Sequence, residues 1–336
     1  MTADQPLWTP SKDRIADTAM TAFMAFAGER VGRSFQGYDD LHGWSVADLE
    51  GFWSAVWDFC GVIGDKGERV LVDGDRMPGA AFFPDARLNY AENLLRRSDD
   101  GDAIVFWGED KVRRRLSWRE LNDLVSKMQQ ALAAAGVGVG DRVAAMLPNM
   151  PEATALMLAT ASLGATFSSC SPDFGERGVL DRFGQIEPKV FVSCDGYWYN
   201  GKEIAVADKL AAIESQLPTA EQIWIVSYLE RAEAVAGGLT RATPLDAVLG
   251  GFEEKPVTYE RLPFNHPLYI LFSSGTTGVP KCIVHAAGGT LLMHLKEQRL
   301  HSDVKPGDRV FYFSTCGWMM WNWLMSGLAS EATLLL

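Results

Sequence analysis

The segment LYILFSSGTTGVPK at residues 268–281 decides how the rest of the chain is read. Leu268 to Phe272 form a short apolar run of the kind that fills a buried strand. It leads directly into Ser273-Ser274-Gly275-Thr276-Thr277-Gly278-Val279-Pro280-Lys281. Two glycines let the backbone turn tightly and aim successive N–H groups inward, the hydroxyls add neutral donors, and Lys281 adds a positive charge. That set of donors suits phosphate oxygens, although a plain surface loop draws on the same residue types. A Walker A loop needs G-x-x-x-x-G-K followed by Ser or Thr. Here Gly275 is followed five places on by Pro280, and Cys282 comes after Lys281. The ordinary NTPase template fails, one loss being the hydroxyl that would hold the metal. No G-x-G-x-x-G follows a strand with an acidic residue about 20 places on, which excludes a Rossmann oxidoreductase.

Upstream the chain repeats a strand and helix grammar. Ser117-x-x-Glu120 is a capping box opening a helix with Leu121, Leu124, Val125, Met128, Leu132 and Ala135 on its apolar face, stopped at Gly136. Strands are predicted at 142–147, 165–171, 189–194 and 222–226, with helices from Pro151 to Gly164, near 175–186 and near 202–217. Such alternation predicts an α/β fold of mainly parallel sheets flanked by helices. Residues 103–107 and 111–116 flank Gly108-Glu109-Asp110 as a β-hairpin. Arg113, Arg114 and Arg115 alternate faces on its second arm, which fits a partly solvated edge better than a phosphate patch. Nearer the start, Thr9-Pro10 opens a helix through Ile15, Ala19, Phe23 and Phe26 to Gly28. Ser45-x-x-Asp48 opens a second, with Leu49, Phe52, Trp53, Val56 and Phe59 as a packing face.

Composition narrows the classes. The 336 residues carry 31 Lys plus Arg against 43 Asp plus Glu, a net charge of −12. This argues against nucleic acid or anionic lipid as the main partner. With 47% apolar and 22% charged residues the chain can bury a large core, and the length suits about two domains. Cys60, Cys170, Cys194, Cys282 and Cys316 are widely spaced, without C-x-x-C, so neither a disulfide framework nor a zinc site is expected. Neither a signal peptide nor an apolar run of about 18 residues is seen, so no membrane insertion is expected and the cytoplasm is the default location.

The string SSGTTGVPK resembles the phosphate-binding signature of the adenylate-forming superfamily of acyl-CoA synthetases, firefly luciferases and peptide-synthetase adenylation domains. GVGVGDRVAAMLPNMPEATALMLATASLGATFSSCSPDFG at 136–175 resembles the second core signature of its acetyl-CoA synthetase branch. Within that branch VLDRFGQIEPKV at 179–190, DGYWYNGK at 195–202 and GWMMWNWLMSGLA at 317–329 are similar to acetoacetyl-CoA synthetases, and the similarity extends from about Gln36 onward.

The resemblance implies the large N-terminal domain of the adenylate-forming fold, truncated before its end. Residues 1–100 would be an N-terminal helical extension, residues 101–336 an incomplete AMP-binding domain, and the mobile C-terminal domain would be absent. The 336-residue chain alone is then expected to be nearly inactive. The implied reaction joins acetoacetate to ATP with Mg²⁺, releases pyrophosphate, and passes the acyl group to CoA. Thr276, Thr277 and the N–H groups of Gly275 and Gly278 would hold the β- and γ-phosphates, with Ser273 and Ser274 shaping the turn and Lys281 supporting its far end. No catalytic residue and no metal ligand is assigned. Trp318, Met319, Met320, Trp321 and Asn322 would form the acyl pocket, Trp318 and Met320 foremost. Lys202 would lie near the nucleotide of CoA, although Trp198 stands where a basic residue is expected. His285 reads as a hydrogen-bonded structural residue and Cys316 as a small buried filler. Two other functions fit the same residues: ligation of another short-chain acid such as acetate or propionate, and non-catalytic nucleotide binding.

Overall fold

The computed structural model describes residues 6–273 and 278–336. The first segment is helical: α1 (Lys12–Ala16), α2 (Ala19–Val31), α3 (Tyr38–Ala47) and α4 (Leu49–Phe59). Sequence spacing predicts one helix from Thr9 to Gly28, whereas the structure has two. Thr18 accepts the N–H of Thr21 and restarts the helix, and Gly32, at a left-handed φ of 67°, ends it. The second predicted start is also corrected. Ser45 lies inside α3, its hydroxyl donating to the His42 carbonyl, and Asp48 caps α4 by accepting the N–H of Gly51. The aromatic residues do pack: the Phe23 ring stands edge-on to Phe52 at 6.0 Å and to Phe59 at 5.3 Å.

Next come the antiparallel hairpin β1 (Asp102–Gly108) and β2 (Val112–Ser117), then α5 (Trp118–Ala134), opened by both halves of the Ser117–Glu120 capping box. The three arginines of β2 serve local partners. Arg114 pairs with Glu152 at 2.6 Å, Arg115 with Asp102, and the Arg113 guanidinium lies 4.7 Å from the Trp107 ring centre. The chain continues as β3 (Arg142–Met146), α6 (Pro151–Ser162), β4 (Thr166–Cys170), α7 (Glu176–Ile186) and β5 (Val190–Cys194). Residues 202–205, predicted as the start of a helix, are instead extended. β6 (Gly196–Tyr199) pairs antiparallel with β7 (Lys202–Ala205), and the helix α8 begins at Ala207 and ends at Gln216. Later elements that frame the site are β8 (Gln222–Val226), β9 (Ala242–Pro244), β10 (Pro267–Ser273), β11 (Lys281–Ala286), α9 (Ala287–Leu295), β12 (Arg309–Phe311), α10 (Met319–Met325) and β13 (Thr333–Leu335).

Seven strands form one sheet in the order β9-β8-β5-β3-β4-β10-β11, parallel throughout except for β11 at its edge. Both faces are buried, and alternate side chains enter different cores. Val143, Val190, Val192 and Trp224 join the core that also holds α5, α6 and the N-terminal helices, while Ala144, Phe191, Ile223 and Ile225 join that of α7 and α8. This is the pattern of a helix-covered parallel sheet, and it explains why its strands read as continuous apolar runs. A second sheet has the order β12-β13-β1-β2. No helix among the described residues is long and apolar enough to cross a membrane.

Candidate active site

Ligand sites of parallel sheets lie beyond the carboxyl ends of the strands. Pro148 and Asn149 after β3, Ser171 to Asp173 after β4 and Tyr197 to Tyr199 of β6 face the corresponding ends of the second sheet, Trp107 to Glu109 and Phe311 to Thr315, across a cleft of about 650 Å³. Its floor is fixed by polar contacts. Asp173 accepts the hydroxyls of Ser171 and Tyr197, each at 2.7 Å, and Lys209 Nζ donates to the carbonyls of Pro172 at 2.6 Å and Phe174 at 2.9 Å. Burial, and then the Asp173 carboxylate, push the Tyr197 hydroxyl well above its ordinary pKa, so it stays a donor.

The segment 273–281, expected to hold phosphate, begins at the end of β10. Leu268 to Leu271 are buried, and Ser273 pairs with Lys281 across the β10–β11 hairpin. Of the seven residues expected to hold phosphate, Ser273, Gly278 and Lys281 are described, and Ser274, Gly275, Thr276 and Thr277 lie outside the described residues. Gly278 adopts φ 136°, a conformation side chains rarely take, with open space where a Cβ would project. Lys281 opens the antiparallel strand β11, not a helix, so no helix N-terminus follows the segment, and an anion held there would depend on backbone N–H groups, hydroxyls and Lys281.

The five residues expected to form the acyl pocket are divided by α10. Trp318, its N-cap, is 64% exposed and Met319 40%, whereas Trp321 and Asn322 are buried. Trp321 donates through Nε1 to Asn149 Oδ1 at 2.8 Å and lies 6.2 Å from the Phe167 ring, so it braces the loop after β3 from behind. Asn322 has only a long contact of 3.4 Å, from Nδ2 to the Trp318 carbonyl. None of the five lines the cleft, which stops at Thr315 on this side. Gly317 stands beside the loop after β4, where a Cβ would fall 3.5 Å from Phe174 Cε2 and from the Ser171 nitrogen.

Lys202 opens β7 on the exposed side, while Trp198 and Tyr199 line the cleft and Lys111 Nζ stands 5.5 Å from the Trp198 ring centre. The hairpin is tied down by the Gly201 N–H, which donates to Glu109 at 2.8 Å. The His285 ring lies 5.0 Å from that of Tyr269, and burial lowers its pKa. Cys316 is fully buried, donates to the Pro148 carbonyl at 3.3 Å, and is pushed well above the ordinary thiol pKa by burial, which removes it as a nucleophile at neutral pH. Sequence reasoning passed over Asn149, Asp173 and Lys209. The one signal for them was position: each belongs to, or reaches, a loop at a strand's carboxyl end.

A family model described as AMP-binding enzyme matches residues 92–336, and one described as Acetyl-coenzyme A synthetase N-terminus matches residues 38–94. The acetoacetyl-coenzyme A synthetase of Rhizobium meliloti (strain 1021) is 60% identical over 338 residues, covering 100% of this chain and 51% of that protein. The acetoacetyl-CoA synthetase of Rattus norvegicus is 41% identical, over 99% of this chain and 50% of its own length. A malonamoyl-CoA synthetase of Penicillium aethiopicum is 38% identical, over 99% and 48%. The solved structure of acetoacetyl-CoA synthetase from Streptomyces lividans superimposes with a TM-score of 0.91 at 43% identity, over 99% of this chain and 51% of that one. The chain thus spans about half the length of the curated relatives it matches.

Proposed function

Because the chain belongs to the AMP-binding enzyme family, we propose that the whole protein is an acid–thiol ligase converting acetoacetate, ATP and CoA to acetoacetyl-CoA, AMP and pyrophosphate. In the first half-reaction a carboxylate oxygen attacks the α-phosphorus of MgATP and the bond to pyrophosphate breaks. In the second, the CoA sulfur attacks the acyl carbonyl, the bond to AMP breaks, and the thiol proton is released. The first step brings two anions together, so it needs positive charge and fixed donors around the phosphates. Ser273, Ser274, Gly275, Thr276, Thr277, Gly278 and Lys281 are assigned that task. Trp318 and Met320 are assigned contact with the acid, while Trp321 and Asn322 support them from the core. Trp198 and Tyr199, with Lys202 at the rim, offer a surface for CoA.

The observation that carries this reading is that the similarity to proteins named acetoacetyl-CoA synthetase covers 99% of the chain or more, at 60% and 41% identity. The malonamoyl-CoA synthetase relative supports a second acid of similar size as the competing reading. Acid-dependent exchange of labelled pyrophosphate into ATP by the full-length protein tests both. Acetoacetate should support exchange faster than acetate, propionate or malonamate, and a faster rate with any of these would replace it as substrate. Replacing Thr276 and Thr277 with Val should raise the KM for MgATP at least tenfold, and an unchanged KM would remove their phosphate role. Binding of MgATP with no exchange for any acid would favour a non-catalytic nucleotide-binding protein.

A further inference from the structure

We propose that Arg182 is a positioning residue that ties the phosphate loop to the wall on which the acyl-pocket helix begins, an inference that rests on the phosphate role proposed for residues 273–281. Arg182 lies on α7, whose apolar face of Val179, Phe183 and Ile186 is buried against the seven-stranded sheet. Its guanidinium carbon stands 4.2 Å from the centre of the Phe174 ring and 5.8 Å from that of Phe272. These rings come from different segments, each next in the chain to a candidate site residue, Asp173 and Ser273. Phe272 is the last apolar residue before the loop, and Phe174 belongs to the segment after β4 that lies beside Gly317.

The geometry singles out this cation. Nη1 donates to the Gly178 carbonyl of the preceding turn at 2.7 Å, which fixes the guanidinium on its own helix. The adjacent carboxylate, Asp181, is 3.7 Å from Arg177, and Arg182 has no carboxylate partner among the described residues. Its charge is therefore spent on the two ring faces. A second residue of the same helix holds the other end of the loop: Gln185 Nε2 donates to the Pro280 carbonyl at 2.9 Å. Phe183 adds an edge-on contact to Phe272 at 6.5 Å. One helix thus holds the chain just before Ser273 and again at Pro280, on either side of the glycine-rich stretch. Phe174 in turn stands beside the head of α10, 3.5 Å from where a Cβ on Gly317 would lie. Gly178 keeps room for this arrangement, since a Cβ there would fall 3.3 Å from Phe174 Cδ1 and 3.7 Å from Arg182 Nη1.

The test uses the full-length protein, with acetoacetate-dependent pyrophosphate exchange, the MgATP dissociation constant and the thermal midpoint measured on each variant. Arg182→Met keeps length and apolar bulk but removes the charge, Arg182→Lys keeps a cation, and Gly178→Ala crowds the sandwich while favouring the helix. Arg182→Met should raise the KM for MgATP and the KM for acetoacetate about tenfold each, with little change in thermal midpoint. Arg182→Lys should restore part of the loss, and Gly178→Ala should raise both KM values without lowering the midpoint. A Met variant with wild-type KM values would overturn the proposal. So would a Met variant that loses thermal stability and kcat together while both KM values hold. If the wild type binds MgATP but exchanges with no acid, the reading of the reaction fails while this inference is still decided: a tenfold weaker dissociation constant in the Met variant upholds it and an unchanged one refutes it.

Discussion

Asp195 offers the most direct check on how the cleft is built. It follows β5 and begins the β6–β7 hairpin, it is 2% exposed, and its carboxylate accepts three backbone N–H groups. Oδ1 takes those of Tyr228 and Leu229, each at 2.9 Å, and Oδ2 takes that of Arg231 at 2.7 Å. The turn after β8 is thereby clamped beside Gly196, which has φ 152° and no room for a Cβ, Leu229 Cδ1 lying 2.6 Å and the Ile204 carbonyl oxygen 2.9 Å from that position. Asp195→Ala strands three donors at once. At about 1–3 kcal/mol for each buried unsatisfied group, with water reaching some of them, the loss should be about 3–4 kcal/mol. Asp195→Asn keeps one oxygen but sets an amide against a donor, so about half that loss is expected. At about 2–4 °C per kcal/mol for a large domain, the Ala variant should melt roughly 10 °C below wild type in differential scanning fluorimetry, the Asn variant falling between. An Ala variant within about 2 °C of wild type would show that the clamp is dispensable, and with it the argument that Asp195 sets the hairpin carrying Tyr197 to Tyr199.

Two other predictions concern the core. Burial, and secondarily the neighbouring His285, lower the pKa of His294 to about 4 from 6.5, while its Nδ1 bonds Ser326 at 2.7 Å. The unfolded chain therefore binds one more proton than the folded one between these values, and stability should fall as pH drops from about 6.5 to about 4. The thermal midpoint of His294→Asn should lose part of that pH dependence, and parallel curves for variant and wild type would refute the assignment. Gly288→Ala places a Cβ 2.2 Å from Phe264 Cδ2, in a ring stack where Phe264 and Phe83 are 5.1 Å apart. Overpacking should cost about 1–3 kcal/mol in denaturant unfolding despite the better helix propensity of Ala, and Phe264→Leu should recover part of it.

Which features could be read in advance follows from the range of the forces behind them. The Ser117–Glu120 capping box, the apolar strands and the 268–272 run before the glycine-rich loop are signals carried within a few residues, and they stand where predicted. Lys202 to Ala205 lie just before Val206, Leu210, Ile213 and Leu217, whose helical spacing pulls the predicted helix start too far back. Their extended form is decided by pairing with Gly196 to Tyr199, a tertiary fact. The early helix broke for a local reason that was missed, the competing cap at Thr18. In the acyl segment, the inward turn of Trp321 depends on Asn149, 172 residues earlier, and no pattern within GWMMWN announces it. Arg182 was invisible for the same reason: its two rings lie 8 and 90 positions away in the chain.

The return of the phosphate loop into β11 bears on how anions arrive. A loop that opens a helix projects a partial positive charge ahead of itself, but one closed by an antiparallel strand attracts only at contact distance. Around it the chain carries −12, while the substrates proposed above, acetoacetate, MgATP and CoA, are all anions. Encounter is therefore uphill over long range, and salt, by shortening the Debye length to about 10 Å at 0.1 M, should quicken association where it slows most charged pairs. A binding rate that climbs with ionic strength and then levels off would be the kinetic signature of a site that recognises by touch and does not steer.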